Sequence, residues 1–208
     1  MSANAIKLYT FSLSGHAHRV RLMLSLLELP TELIEVNLAK GEQKQAEFLA
    51  MNPFGQVPVM DDNGVVVADS NAILVYLART YGGEAWLPGD AAGMAAVQRW
   101  LSVAAGPIAY GPALARAIVL FGSPYSAAES IARAHAVLKV IQGELAQRDW
   151  LVGQHVTIAD VAAYTYIAHA PEGNVSLADY PAVRAWLARV EALPNFVGLQ
   201  KSAVGLAA

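Results

Sequence analysis

The chain has 208 residues, 15% charged and 55% hydrophobic, which excludes intrinsic disorder. Fourteen basic residues against 17 acidic ones leave a net charge of −3, and no aromatic-interleaved basic run recommends nucleic acid as a partner. Cysteine is absent, which excludes disulfides, Cys-ligated zinc, iron–sulfur clusters and Cys nucleophiles, and it fits a reducing compartment.

The first residues, Met1 to Lys7, carry no charged segment followed by an apolar one, so no secretory signal is expected. The period-two run Ile6-Lys7-Leu8-Tyr9-Thr10 predicts a strand. After the loop Phe11–Gly15, Val20, Met23, Leu24 and Leu27 recur at helical spacing until Pro30 stops them. Glu32–Val36 reads as a second strand, parallel to the first if a crossover joins them. The polar stretch Lys40–Glu47 has room for a short helix. Val57–Met60 and Val65–Val67 flank an Asn63-Gly64 turn that suits a tight hairpin, and Asp69-Ser70 opens a helix carrying Ile73, Leu74 and Leu77. This β-α-β then β-β-α order suits a small mixed sheet covered by helices.

Beyond Thr80 the strand signals stop. Residues 81–90 are turn-rich and serve as a linker, and helical periods then run over roughly 91–121, 126–148, 157–170 and 181–192. The uncharged stretch between Arg99 and Arg116 is interrupted by Gly106-Pro107 and Gly111-Pro112 and falls short of the roughly 20 apolar residues a membrane span needs. A cytoplasmic protein without a membrane segment is the expectation.

Four places carry chemistry. Ser14-Gly15-His16 lies where the first strand hands over to a helix, whose N-terminal amides and dipole favour an anion; Ser14 either donates to that anion or only caps the helix. His16 and His18, two apart, do not share a helix face, so no metal site is expected. Val57-Pro58 lies in a strand pattern where proline cannot donate; a cis bond would turn the backbone of Val57 toward an extended ligand, and an edge proline is the alternative. Asp69 and Ser70 could hold an α-amino acid, the acid on its ammonium and the hydroxyl with helix amides on its carboxylate, or could simply cap. Thr157-Ile158-Ala159-Asp160 has capping-box spacing and reads as a folding signal.

The run Asn52–Val59, followed by Ala68-Asp69-Ser70-Asn71-Ala72-Ile73, resembles the signature of the glutathione transferase family. Gly153–Asp160 resembles that family's helical-domain capping motif, and Tyr180-Pro181 through Trp186 to Phe196 resembles its C-terminal helices. The resemblance implies an α/β thioredoxin-like N-terminal domain over 1–80, an all-α C-terminal domain over 91–208 and a homodimer. It implies glutathione as co-substrate, with no metal or other cofactor. Asp69 and Ser70 would take its γ-glutamyl end, Val57 with Pro58 the cysteinyl backbone, and Gln43, Lys44 and Gln56 the glycyl carboxylate. Alignment with serine-type classes puts the catalytic position at Ser14, with Ser12 as the fallback, while Tyr9 lies within the strand and not in the loop. Asp69 stands where glutamate is commoner in the family. A small hydrophobic electrophile would meet Phe11, Leu13, Tyr110, Leu114 and Arg116. The implied activity is conjugation of glutathione to that electrophile. Glutathione-dependent peroxidase or disulfide reductase action, and a non-enzymatic binding module, are the alternatives.

Overall fold

In the computed structural model, which describes residues 5–208, the alternating run Ile6–Thr10 forms β1, with Ile6, Leu8 and Thr10 buried on one face. Ser14 caps α1 (Gly15–Leu26), which buries Ala17, Val20, Met23 and Leu24. Leu27, expected on that apolar face, is the half-exposed C-cap. β2 (Thr31–Glu35) starts one residue earlier than its pattern suggested and pairs in parallel with β1. The polar stretch beyond it forms two 3-10 turns, Leu38–Lys40 and Glu42–Lys44, before α2 (Ala46–Met51).

β3 (Val59–Asp62) and β4 (Val65–Ala68) form the hairpin, and the sheet order is β2-β1-β3-β4, with β1 and β3 antiparallel. Asn63 and Gly64 both take positive φ, 52° and 95°, as a two-residue hairpin turn of this twist requires. Val57-Pro58 lies just before β3, not inside it, and its peptide bond is cis. Leu8 and Met60 face one side of the sheet, where Val20, Met23 and Leu24 of α1 and Ile73, Leu74 and Leu77 of α3 (Ser70–Leu77) are buried. Tyr9 and Val59 face the other, where Tyr9 meets Phe48 of α2 edge-on at 6.3 Å. Tyr9 is therefore a half-buried residue packed against the core of that face.

The chain divides into two units. The first runs to Gly83 and includes Pro194–Gln200; the second comprises Glu84–Leu193 and Lys201–Ala208. Residues 194–200, expected within the helical domain, join the first unit through specific contacts. Ser25 Oγ donates to the Asn195 carbonyl at 2.7 Å, Asn195 Nδ2 donates to Glu28 at 2.7 Å, and His18 Nε2 meets the Val197 carbonyl at 2.9 Å.

The second unit is helical: α4 (Ala91–Val103), α5 (Leu114–Phe121), α6 (Ala127–Leu145), α7 (Ile158–Ala168) and α8 (Pro181–Glu191). Pro107 and Pro112 do not break α4 from α5. The connection Ala104–Ala113 is π-helical, and the wider turn absorbs the missing N–H groups. The resulting helix, Ala91–Phe121, has 31 residues and an 18-residue window of mean hydropathy 1.4, so by length and composition alone it could cross a membrane; it runs past the uncharged stretch between Arg99 and Arg116 on both sides. Within the unit it buries Val97, Trp100, Leu101, Ala104 and Ile108 and packs on α6 and α7.

The capping box of α7 anchors this unit. Asp160 is fully buried and accepts from Thr157 N at 2.9 Å, Thr157 Oγ at 3.3 Å, Leu151 N at 3.0 Å and Trp186 Nε1 at 2.9 Å. Burial raises the pKa of its carboxyl, and these four donors pull against that rise. Replacing Asp160 by alanine leaves all four donors unpaired, so Asp160→Ala should cost about 3–5 kcal/mol. Thermal unfolding should fall by roughly 10 °C or more. A loss below about 1 kcal/mol in urea titration would show that the capping box does not anchor the unit.

Candidate active site

Ser14, His16, Asp69 and Ser70 come together on one cavity of about 660 Å³ in the first unit. Its remaining wall includes Gln43, Asn52, Gln56, Val57 and Pro58. The cavity thus lies at the N-termini of both α1 and α3, where backbone N–H groups and helix dipoles favour an anionic ligand.

Ser14 caps α1 and keeps its hydroxyl hydrogen. Its Oγ accepts from Ala17 N at 3.2 Å, which caps α1, and this uses only a lone pair of the hydroxyl. The hydroxyl hydrogen remains available to a ligand. Ser12 is exposed, lies off the cavity wall, and its backbone N–H donates to Glu35 at 2.8 Å.

Asp69 caps α3 from a strained position, with φ of 75°, and its Oδ1 accepts from Asn71 N at 2.9 Å and Ala72 N at 3.0 Å. Two first-turn amides of α3 are therefore already taken, and the buried Ser70 hydroxyl is a further donor on the cavity wall. Behind it stands Arg19, fully buried, which donates from one terminal nitrogen to Asn71 Oδ1 at 2.8 Å and to Ser70 Oγ at 3.4 Å. His16 Nδ1 lies 3.4 Å from the same Oγ. Burial and the Arg19 charge push the His16 pKa down to about 3, so the ring is neutral at physiological pH. His18 turns away to Val197, so the two histidines do not share a site.

The opposite wall is a rigid loop. Asn52 donates from Nδ2 to the Gln56 carbonyl at 2.8 Å and accepts Phe54 N at 3.1 Å. Gly55 has φ of 59°, and a Cβ there would lie 2.8 Å from both the Gln43 carbonyl and Lys44 Nζ, so only glycine lets the loop approach. Gln43 lines the cavity; its Nε2 donates to the Leu38 carbonyl at 3.4 Å, while its buried Oε1 has no hydrogen-bond partner. Lys44 lies off the wall, its Nζ donating to the Phe54 carbonyl at 3.3 Å.

The residues expected around an electrophile scatter. Phe11 and Leu13 flank Ser12 in the loop before α1 and do not line the cavity. Tyr110, 60% exposed, lines an apolar groove of the helical unit with Trp100, Val103, Pro107 and Val137. Leu114 is half-buried at the start of α5. Arg116 is buried and donates from Nε to Glu172 at 2.6 Å, so its guanidinium belongs to an internal ion pair and not to a pocket.

Sequence reasoning missed His16 and Asn52 as site residues. Asn52 carries a signal, the Asn-Pro-x-Gly turn composition; His16 carries none, because its partner Ser70 lies 54 residues away.

Residues 13–80 match the glutathione S-transferase N-terminal domain and residues 110–194 the corresponding C-terminal domain. A glutathione S-transferase of Zea mays is 35% identical, over 92% of this chain and 91% of its own. A disulfide-bond oxidoreductase of Escherichia coli is 29% identical over 91% of each. The crystal structure of a glutathione S-transferase from Pseudomonas fluorescens superposes with a TM-score of 0.89 at 32% identity, covering 95% of this chain and all of the other. Two helix starts on one cavity, a cis-proline loop facing them and this likeness over nearly the full length have one reading: the chain belongs to the glutathione S-transferase family.

Proposed function

We propose that the cavity binds glutathione with its sulfur at Ser14, and that the protein transfers it to small apolar electrophiles. What supports this reading is the convergence of Ser14, the Val57-Pro58 loop and Asp69-Ser70 on one cavity. Asp69 meets the ammonium of the γ-glutamyl end and Ser70 its carboxylate. The backbone of Val57 pairs with the cysteinyl residue. Gln43 and Gln56 from the wall, with Lys44 at the rim, receive the glycyl carboxylate.

The chemistry needs a thiolate. A free thiol has a pKa of about 8.5, and lowering it by two units takes about 2.7 kcal/mol. A charge-assisted hydrogen bond of about 1.5–3 kcal/mol from Ser14, with about 0.3–1 kcal/mol from the α1 dipole, covers that requirement. The thiol proton leaves to solvent, the sulfur attacks the electrophilic carbon, and the leaving group departs with its bonding pair. Ser14 is a donor throughout and forms no covalent bond. Phe11 and Leu13, its neighbours in sequence but off the cavity wall, are the apolar side chains this reading assigns to the electrophile.

The E. coli relative's name favours a second reading, disulfide reduction, in which one glutathione sulfur attacks a disulfide and a second resolves the mixed disulfide. The products are two thiols and oxidised glutathione, and no protein cysteine is required. Retention on immobilised glutathione, followed by parallel assays with an aryl halide and a mixed disulfide, decides between transfer and reduction. Failure to bind glutathione at millimolar concentration removes both.

Ser14→Ala should raise the pKa of bound glutathione by about one to two units, read from the thiolate absorbance in a pH titration, and should lower turnover at neutral pH about ten- to hundredfold. Ser12→Ala should change neither. A shift with Ser12→Ala alone would move the catalytic position, and no shift with either would give the thiolate to the helix dipole.

We further propose a homodimer that joins the first unit of one copy to the helical unit of the other. Two exposed apolar features support it, Phe54 at 80% exposure on the first unit and the Tyr110 groove on the second. Light scattering at micromolar concentration should give about twice the 22.0 kDa of one chain; a mass near 22.0 kDa would refute it.

A further inference from the structure

We propose that His16 is a positioning residue, one that makes Ser70 an obligate hydrogen-bond donor to the α-carboxylate of the bound tripeptide. The inference rests on the reading of the cavity as a glutathione site.

A serine hydroxyl has one hydrogen to give and two lone pairs to fill. Arg19 lies 3.4 Å from Ser70 Oγ, and a guanidinium can only donate, so it takes one lone pair. His16 Nδ1 lies 3.4 Å from the same oxygen. A neutral imidazole carries one ring proton and can hold it on either nitrogen. With the proton on Nε2, Nδ1 accepts the serine hydrogen and Ser70 has nothing left for a ligand. With the proton on Nδ1, both lone pairs of Ser70 are filled, and its hydrogen must point elsewhere. Ser70 is buried on the cavity wall, so that direction is the ligand.

A carboxylate is acceptor-only and selects the second arrangement; an ammonium is donor-only and gains nothing from it. Two features make the exchange cheap and consequential. Both contacts to Ser70 are long, so neither holds the hydroxyl firmly in one direction. The amides of Asn71 and Ala72 are already occupied by Asp69, which leaves the hydroxyl a large share of carboxylate recognition. The charged group acting on the imidazole is Arg19 of α1; Asp69, the α3 cap, lines the same cavity. Arg19 opposes ring protonation, so the tautomer and not the charge responds to the ligand.

The test compares three variants and two ligands by calorimetry. Asparagine places its amide nitrogen near the position of Nδ1 and can donate to Ser70; glutamine places it near Nε2 and cannot. His16→Ala and His16→Gln should weaken glutathione about tenfold, and His16→Asn should stay within about threefold of the parent. Against 4-aminobutanoyl-Cys-Gly, which lacks the α-carboxylate, all three should lose less than about twofold. In the parent protein, imidazole nitrogen shifts should report the Nδ1–H tautomer of His16 with glutathione and not with the analogue. Equal losses for the two ligands, no loss of glutathione affinity, or an unchanged tautomer would each overturn the inference while leaving the glutathione reading intact. A parent protein that binds neither ligand would overturn both.

Discussion

The candidate site depends on one buried cation. Arg19, fully enclosed, reaches from the second turn of α1 to Asn71 and Ser70 in the first turn of α3. A guanidinium taken out of water is tolerated only with good acceptors, and removing a partner from such a charge costs about 3–5 kcal/mol. The two helix starts are therefore held at one distance, although α1 and α3 are separated in sequence by β2, α2 and the hairpin. Without this tie each helix would still offer its amides to an anion, but not to two ends of one ligand.

The helical unit handles its own buried cation differently, and the difference explains why Arg116 takes no part in a pocket. Glu172 is shared between Arg116 at 2.6 Å, His169 Nδ1 at 2.6 Å and the backbone N–H of Ser202 at 3.0 Å. Burial alone would raise the Glu172 pKa, but hydrogen bonds from His169, Ser202 and Arg116 hold it below the usual carboxylate range. The charge is thus neutralised inside the unit, and the C-terminal segment is fastened to the turn Ala170–Gly173. The backbones meet so closely here that a Cβ on Gly173 would lie 2.4 Å from Arg116 N. This is a structural ion pair, with no face left for a substrate.

Local chemistry was legible in the sequence, and long-range pairing was not. The strand of Ile6–Thr10, the Asn63-Gly64 turn, the Thr157–Asp160 capping box and the helix start at Asp69-Ser70 each depend on residues within a few positions of one another. Arg116 was misread because its partner Glu172 stands 56 residues away, and nothing near Arg116 announces a carboxylate. The continuity of α4 into α5 was legible as one helical period over 91–121, but the π-helical widening that accommodates its two prolines has no local signature. Residues 194–200 look like more helical-domain sequence, and only the contacts of Asn195 and Val197 with α1 and its C-terminal turn assign them to the first unit.

The two serines of the site then follow one rule. At Ser14 the acceptor side of the hydroxyl is occupied by Ala17 N, a helix-capping bond that any fold would make. At Ser70 it is met by Arg19, and in the proposed ligand-bound tautomer His16 completes it. On the proposed reading the protein fills one lone pair at Ser14 and both at Ser70 with its own donors, and each hydroxyl gives its hydrogen to an anion, the thiolate at one end and the carboxylate at the other. A hydroxyl in water has no such bias, because solvent both donates to it and accepts from it. The capping reading and the binding reading of these residues are therefore not rivals. The structural bond uses a lone pair and leaves the hydroxyl hydrogen free, so on the proposed reading the α1 start serves sulfur while it caps its helix.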